Sequence, residues 1–449
     1  MSTSSTLNSV LSALGGTTGI DVTTAVNTIL YADRAPERGW QAQQATLASQ
    51  TSAINQIENE TSSLSDSLND LSNLDGALSS ITATSSNTSV LTATAVSGTA
   101  ASNHTVTVTS LATAGSWYSD AETNSTTDLP AGTVTLTVGS GSPVSITVGS
   151  GVNTLADLAA SINSQSLGVT ANIVTDSSGA RLALTSTTTG AAGDFTVSSS
   201  SAGFTRSGTG ADASLKVDGV PVSSASNTVT GAISGVTLNL VGVSAGTTVS
   251  LSLGPDEDSI NTVVSNFVTA YNTLISDVNT QIGYNASTQT AGTLQSDSAI
   301  QGLQSALLAS TNYGSGSGTY QTLASLGIST NADGTLTLNS TTLATAVQTN
   351  SAAVASFFQG SALNGFADTV SSTLNTYTDP TQGAFTVDLQ SISNENTDLT
   401  NETNTLELYL SSQQTLLTAQ YNAADIAIQQ LPQKIKQIQA LLNPNSSSS

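Results

Sequence analysis

Two stretches at opposite ends of the chain carry apolar residues at seven-residue spacing. At the front these are Trp40, Leu47, Ile54, Thr61 and Leu68, interleaved with Ile57, Leu64, Leu71 and Leu78. At the rear they are Leu410, Leu417, Ala424, Leu431 and Ile438, interleaved with Tyr421, Ile428, Ile435 and Leu442. Two rows three and four residues apart, with Gln, Ser, Thr and Asn between them, describe helices with one narrow apolar stripe. A helix cannot bury its own stripe, and the nearest partner for each end is the other end. Two readings of the leucines stand side by side: the core of an intramolecular hairpin, or a seam between copies. The self-assembly seam is assigned to Trp40, Leu47, Ile54, Ile57, Leu64, Leu68 and Leu71 in front, and to Leu410, Leu417, Tyr421, Ile428 and Leu431 behind. Gln43, Gln50 and Thr61 are polar at seam positions, a device that weakens a coiled coil while setting its register.

Between these ends, residues 83–260 are rich in Thr, Ser, Gly and Val. The fold class that follows is α+β and multidomain, with a long terminal coiled-coil stalk or leg and β-rich heads inserted between the helical ends. The expected division is residues 1–40 and 425–449 as terminal segments and 41–82 with 259–424 as the helical leg. Residues 83–115 with 211–258 form a β-rich head, and 116–210 form a second head inserted into the first. Seven basic residues against 30 acidic ones give a net charge of -23. Such a surface does not neutralise phosphates, which argues against nucleic acid and anionic membranes as partners. Cysteine is absent, which excludes disulfides and thiolate chemistry. The first 30 residues hold no Lys or Arg and no long apolar run, so no secretory signal is read there, nor a membrane-spanning segment anywhere. An extracellular style of composition without a signal points to export by another route.

Taken in order, residues 1–20 read as disordered, and Asp21 caps a helix from Val22 to about Asp33. Pro36 separates it from a second helix, for which proline suits the first position. That helix is expected to reach about Ile81, roughly 65 Å at 1.5 Å per residue. Ser86 to Ala95 and Thr105 to Leu111 read as strands. Thr133–Val138 and Val144–Val148 form a hairpin, Thr154 caps a short helix, and Val169–Val174 returns through Asp176–Gly179 to Arg181–Leu184. Leu215 to Val220, Val236 to Val241 and Thr248 to Leu253 are further strands. Asp256, Asp258 or Ser259 then caps a helix whose apolar face is Ile260, Val263, Phe267, Tyr271, Leu274 and Val278. Pro432 is expected to kink or break the last helix.

Little in the chain recommends catalysis. His104 is the single histidine, which leaves scant material for a metal site or a Ser-His-Asp triad, and it reads as an exposed rim residue. Asp256-Glu257-Asp258 lacks the ligand ladder of a calcium loop and reads as helix capping.

The ordered set of motifs resembles a known family. Gly19-Ile20-Asp21-Val22, Ala32 to Pro36 and the Gln-rich heptads are similar to the N-terminal region of flagellar hook-associated protein 2, the cap of the bacterial flagellar filament. Phe267 to Asn279, Gly292 to Asp297, Leu323 to Thr330 and Asp333-Gly334-Thr335-Leu336 resemble its C-terminal region. Leu155, Leu158, Ile162-Asn163 and Gly168 to Ala171 are similar to the IN motif of flagellins and hook-associated proteins. The resemblance implies a homo-oligomeric ring at the filament tip, exported through the flagellar apparatus with a dedicated chaperone. It implies flagellin and the hook–filament junction proteins as partners, and neither cofactor nor active site. One alternative is an exported adhesin whose head binds glycans or host matrix; another is flagellin itself or a junction protein, which share the IN motif.

Overall fold

The computed structural model describes residues 21–244, 246–360 and 364–442. Residues 1–20, including Gly19-Ile20, lie outside that range, as do 443–449. Helix α1 (Val22–Asp33) is capped by Asp21, whose carboxylate accepts Thr24 N–H at 3.0 Å. Helix α2 (Ala35–Ser72) follows after one residue, with Pro36 in its first turn, where a missing N–H costs nothing. It stops at Ser72 rather than continuing to Ile81. Asn73 turns the backbone to extended geometry and its side chain accepts from Asp75 N–H, an Asx-turn that competes with the helix. Gln359 donates to the freed Asn73 carbonyl, and Leu78 is buried from a short 3-10 turn, Ala77–Ser79.

The chain then enters a β-sandwich. Its larger sheet takes β1 (Ile81–Ser85), β3 (Ser102–Ser110), β11 (Ala213–Val217), β12 (Val220–Ser224) and β15 (Val249–Pro255) in the order β1-β15-β3-β11-β12. The smaller takes β2 (Leu91–Ala95), β13 (Thr228–Ile233) and β14 (Val236–Leu240), ordered β13-β14-β2. Alternate residues such as Val106, Val108, Leu215, Leu238 and Leu251 fill the space between them. Two expectations are corrected here. Ser86 to Val90 is a turn, with strands on either side of it. Leu215 to Val220 is not one strand, because Asp218 and Gly219 take φ of 49 and 82° and reverse the chain. Positive φ at both central positions is the two-residue hairpin turn that Asp-Gly favours.

The second head is threaded between β3 and β11. Strands β5 (Gly132–Val138), β6 (Val144–Val148) and β9 (Phe195–Ser199) form one sheet. Strands β4 (Ser116–Ser119), β7 (Val169–Asp176), β8 (Gly179–Ser186) and β10 (Phe204–Gly208) form another. Helix α3 (Leu155–Ser164) begins with a reciprocal capping box between Thr154 and Asp157 and buries Leu155, Leu158 and Ile162. The Asn of the IN motif has a specific task. Asn163 accepts Ala171 N–H and donates to Ala171 C=O, both at 2.8 Å, so its amide extends the backbone ladder. Asn227 does the same to Ala112 in the first head, and Asn272 to Leu336 in the leg.

The leg is completed by α4 (Glu257–Ile282), α5 (Ser298–Ser310), α6 (Ser340–Gln359), α7 (Phe366–Thr378) and α8 (Ala384–Leu442). Asp256 caps α4, accepting Ser259 N–H at 3.1 Å and its hydroxyl at 2.8 Å, so that carboxylate serves the helix. The leg core joins α2, α4 and α7 to an aromatic cluster in which Phe267 meets Phe366 edge-on at 5.4 Å. Helix α8 passes through Pro432 without ending. The carbonyl that proline leaves unpaired lies on a stretch with much exposed surface, where water can satisfy it.

Candidate assembly surfaces

The front stripe divides in two. Ile54, Ile57, Leu64, Leu68 and Leu71 are fully buried, packed with Ile260, Val264, Phe267, Tyr271 and Leu274 of α4. Their partner is therefore α4 and not the rear helix, a correction to the pairing of the two ends. The middle of the chain returns to the leg with its own apolar face, wider than a heptad stripe, and takes the place nearest α2. Thr61 is buried in this seam, its hydroxyl donated to Ile57 C=O at 2.7 Å. Trp40, half-buried, and Leu47, buried, precede the α4 contact. Here α2 runs beside α8, and Gln43 and Gln44 donate to Glu395 and Thr400 of that helix.

The rear stripe has three fates along one helix. Phe385 is buried in the leg core. Leu410 is buried against Val26 and Leu30 of α1, with Leu406, Leu417 and Tyr421 half-buried around them. Arg34 fastens this contact through a two-pronged pair with Glu407 and a 2.9 Å pair with Glu37. The hydrogen bond that Arg34 donates to Glu407 raises the guanidinium pKa, and the one to Glu37 adds to this, against the opposing effect of desolvation. Farther on, Ile428 is half-buried, and Leu431 and Ile438 are exposed. A second apolar row had no counterpart in the heptad reading: Leu408, Leu416 and Ile426 are 75, 50 and 56 % exposed, with Tyr409 beside them. At 100° per residue these side chains lie on one side of α8, nearly opposite Leu410 and Leu417. Counting a 3.5-residue period follows one stripe and passes over the other.

Carboxylates are crowded in the leg. Glu60 on α2 lies with Asp277 of α4 along one surface depression, and burial first, then the Asp277 charge, pushes its carboxyl above the usual range. Asp388 on α8 is raised by burial first and then by Asp297, the cap of α5. Glu60, Asp277 and Asp388 each keep a buried oxygen without a hydrogen-bond partner. Among the described residues no helix is long and apolar enough to cross a membrane, and no group of three or more His, Cys, Asp or Glu converges as metal ligands.

His104 is not a rim residue. Its side chain is 20 % exposed and bridges Asp218 and Ser102. The Asp-Gly pair that builds this turn was the available signal, and reading Leu215 to Val220 as one strand hid it.

A helical leg assembled from both ends of the chain, two β-heads threaded into it and an apolar stripe left open on the last helix define a structural, assembly-type protein. Comparison with known families agrees. Residues 18–115 match the N-terminal region of flagellar hook-associated protein 2, residues 210–433 its C-terminal region, and residues 133–188 the flagellin hook IN motif. The chain belongs to the flagellar hook-associated protein 2 family, a structural flagellar cap family and not a family of enzymes. It is 30 % identical over 284 residues to the B-type flagellar hook-associated protein 2 of Pseudomonas aeruginosa, covering 56 % of this chain and 59 % of that protein. It is 31 % identical over 302 residues to flagellar hook-associated protein 2 of Aeromonas caviae, covering 61 % of this chain and 64 % of the relative. The chain thus spans less than two thirds of the length of these relatives. The D1-D2-D3 domains of the flagellar cap protein FliD from Escherichia coli superpose with a TM-score of 0.60 at 26 % identity, over 76 % of this chain and 99 % of that one.

Proposed function

We propose that this protein caps the growing tip of a bacterial flagellar filament and promotes the folding and insertion of flagellin there. The observation that carries the reading is the match of both family regions to one chain, superposable on a solved cap protein, whose last helix leaves an apolar stripe open. Several copies form a ring, with the heads as a lid and the legs toward the filament. The exposed row Leu408, Leu416 and Ile426, together with Leu431 at the open end of the heptad stripe, contacts the terminal filament subunits. Contacts of this kind are incompletely buried and reversible, which suits a leg that must release at each insertion. Flagellin and the junction proteins are the partners, and the protein reaches the tip from inside the cell through the flagellar export apparatus, escorted by a dedicated chaperone.

The test is a deletion strain. Flagellin in the medium is compared with flagellin on cells, and motility is recorded alongside. Free flagellin, short or absent filaments and rescue by added purified protein are expected. Normal filaments with normal swimming would overturn the reading and bring adhesion by the heads forward.

A further inference from the structure

The first head's sandwich stays open at one end, where a cavity of about 660 Å³ lies between the two sheets. That is within the range of small-molecule sites, about 300–1,000 Å³. Val217, Val222, Ile233 and Leu253 give it apolar walls. Ser102, His104 and Asp218 line the same cavity. Ser102 and His104 continue the row that Val106 and Val108 occupy farther along β3, because alternate residues of a strand share a face. Asp218 is brought to them by the hairpin turn between β11 and β12.

The three side chains form a relay. Ser102 Oγ is 3.0 Å from His104 Nε2, and His104 Nδ1 is 2.7 Å from Asp218 Oδ2. The other Asp218 oxygen accepts Thr105 N–H at 2.7 Å and the Thr105 hydroxyl at 3.2 Å, which fixes the carboxylate. The Thr105 backbone bond, then the His104 contact, holds Asp218 below the usual carboxylate range, so it is ionised at neutral pH. An ionised acceptor at Nδ1 keeps the neutral imidazole's proton there and leaves the Nε2 lone pair for the Ser102 hydroxyl. Ser102 Oγ has a second acceptor, Ala100 C=O, at 3.2 Å. A latch between β3 and the hairpin needs only the His104–Asp218 pair. It leaves unexplained both the serine on the far nitrogen and the apolar cavity beside it.

We propose that Ser102 is an activated nucleophile that accepts acyl groups from esters with a short apolar acyl chain, with His104 as its base and Asp218 positioning the imidazole. Ser102 Oγ bonds to the acyl carbon as its proton passes to Nε2, and the ester C–O bond breaks as that proton moves to the departing alkoxide. Water then attacks the acyl-serine by the same route, releasing the carboxylic acid and restoring the hydroxyl. These side chains supply no oxyanion donor, whose loss costs an esterase on the order of 10²–10³ in kcat. Acylation and deacylation both pass through such an oxyanion, so turnover is slow. An activated ester, whose good leaving group eases only the first step, accumulates the acyl-serine. This reactivity is additional to the structural role and independent of it.

The full-length protein is treated with an alkyl fluorophosphonate, in which a P–O bond to serine replaces P–F, fluoride leaves and His104 relays the proton to solvent. Modified peptides are quantified by mass spectrometry. Ser102 is expected to label on the order of 10²-fold faster than the other serines, the scale of a positioned base. Asp218→Asn and His104→Gln remove that advantage with circular dichroism unchanged, and p-nitrophenyl butyrate gives a burst of one equivalent. Ser102 labelling no faster than surface serines, or Asp218→Asn labelling as fast as the parent, overturns the proposal. Should both variants misfold, the parent protein decides. With one histidine in the chain, imidazole ¹⁵N signals belong to His104 alone. The Nδ1–H tautomer is required, and Nε2–H contradicts the relay.

Discussion

The helices α2 and α8 carry the same heptad grammar and meet opposite fates. In α2 the stripe from Ile54 to Leu71 is sealed inside the chain by α4, and each leucine there loses contact with water. In α8 the stripe is sealed only as far as Leu410, half-sealed to Tyr421 and largely open beyond. A heptad repeat states that a stripe needs a partner; which partner depends on what else the chain folds nearby. The comparison also separates two meanings of a seam residue: one holds the subunit together, the other is available to something outside it.

Substitutions in the two stripes should differ most. Leu64→Ala or Leu68→Ala empties volume in a closed core and is expected to cost about 2–5 kcal/mol by chemical denaturation. Leu64→Asp is expected to unfold the leg, which makes it unsuitable for separating assembly from folding. Leu416→Ala or Leu431→Ala should stay within about 0.5 kcal/mol of the parent, as surface changes do. Equal losses in both stripes would erase the distinction.

The amide staples come next. Asn272→Ala strands the backbone N–H and C=O of Leu336 in the leg, and Asn163→Ala strands those of Ala171 in the inserted head. Each is expected to cost about 1–3 kcal/mol. Hydrogen exchange should quicken locally around the affected strand, and no change there would mean that water replaces the amide.

A smaller effect is pH-dependent. Glu60 and Asp388 have folded-state pKa values raised by burial and by neighbouring carboxylates. The folded leg therefore binds more protons than the unfolded chain between the unfolded and folded pKa values. This contribution to stability is complete below the unfolded values, near 4, and is lost as pH rises through the raised ones. Glu60→Gln and Asp388→Asn should stabilise the leg at pH 7 by about 1 kcal/mol or less, with the gain shrinking toward pH 4. A gain that persists at low pH would point to packing instead of charge. The smallest effect is expected at the exposed Arg34–Glu407 pair, where Arg34→Ala should lower the denaturation midpoint only slightly and the loss should fade in high salt.

Much of this architecture was legible in the residues. Period-two runs gave the hairpins at Thr133–Val148 and Val169–Leu184, and Asp21, Thr154 and Asp256 marked helix starts, because these signals act within a few residues. What escaped reading was set at longer range or by competing local chemistry. Nothing near Ile54 indicates that residues 257–282, beyond two β-heads, will cover it. Helix α2 ends early because Asn73 and Gly76 outweigh a heptad pattern that still places Leu78 in register. The relay at His104 was the costliest omission. Its sequence signal was Asp218-Gly219, a hairpin turn whose side chain reaches back to a strand more than a hundred residues away.

The most direct test of the two-stripe account joins folding to assembly in one variant. Leu416→Asp, Ile426→Asp and Leu431→Asp together place charges on the open side of α8 without touching the leg core. The account predicts a purified protein with the parent's circular dichroism and denaturation midpoint that, returned to the deletion strain, leaves flagellin in the medium and the cells without full filaments. Normal filaments from that folded variant would contradict it, because the open stripe would then have no part in assembly.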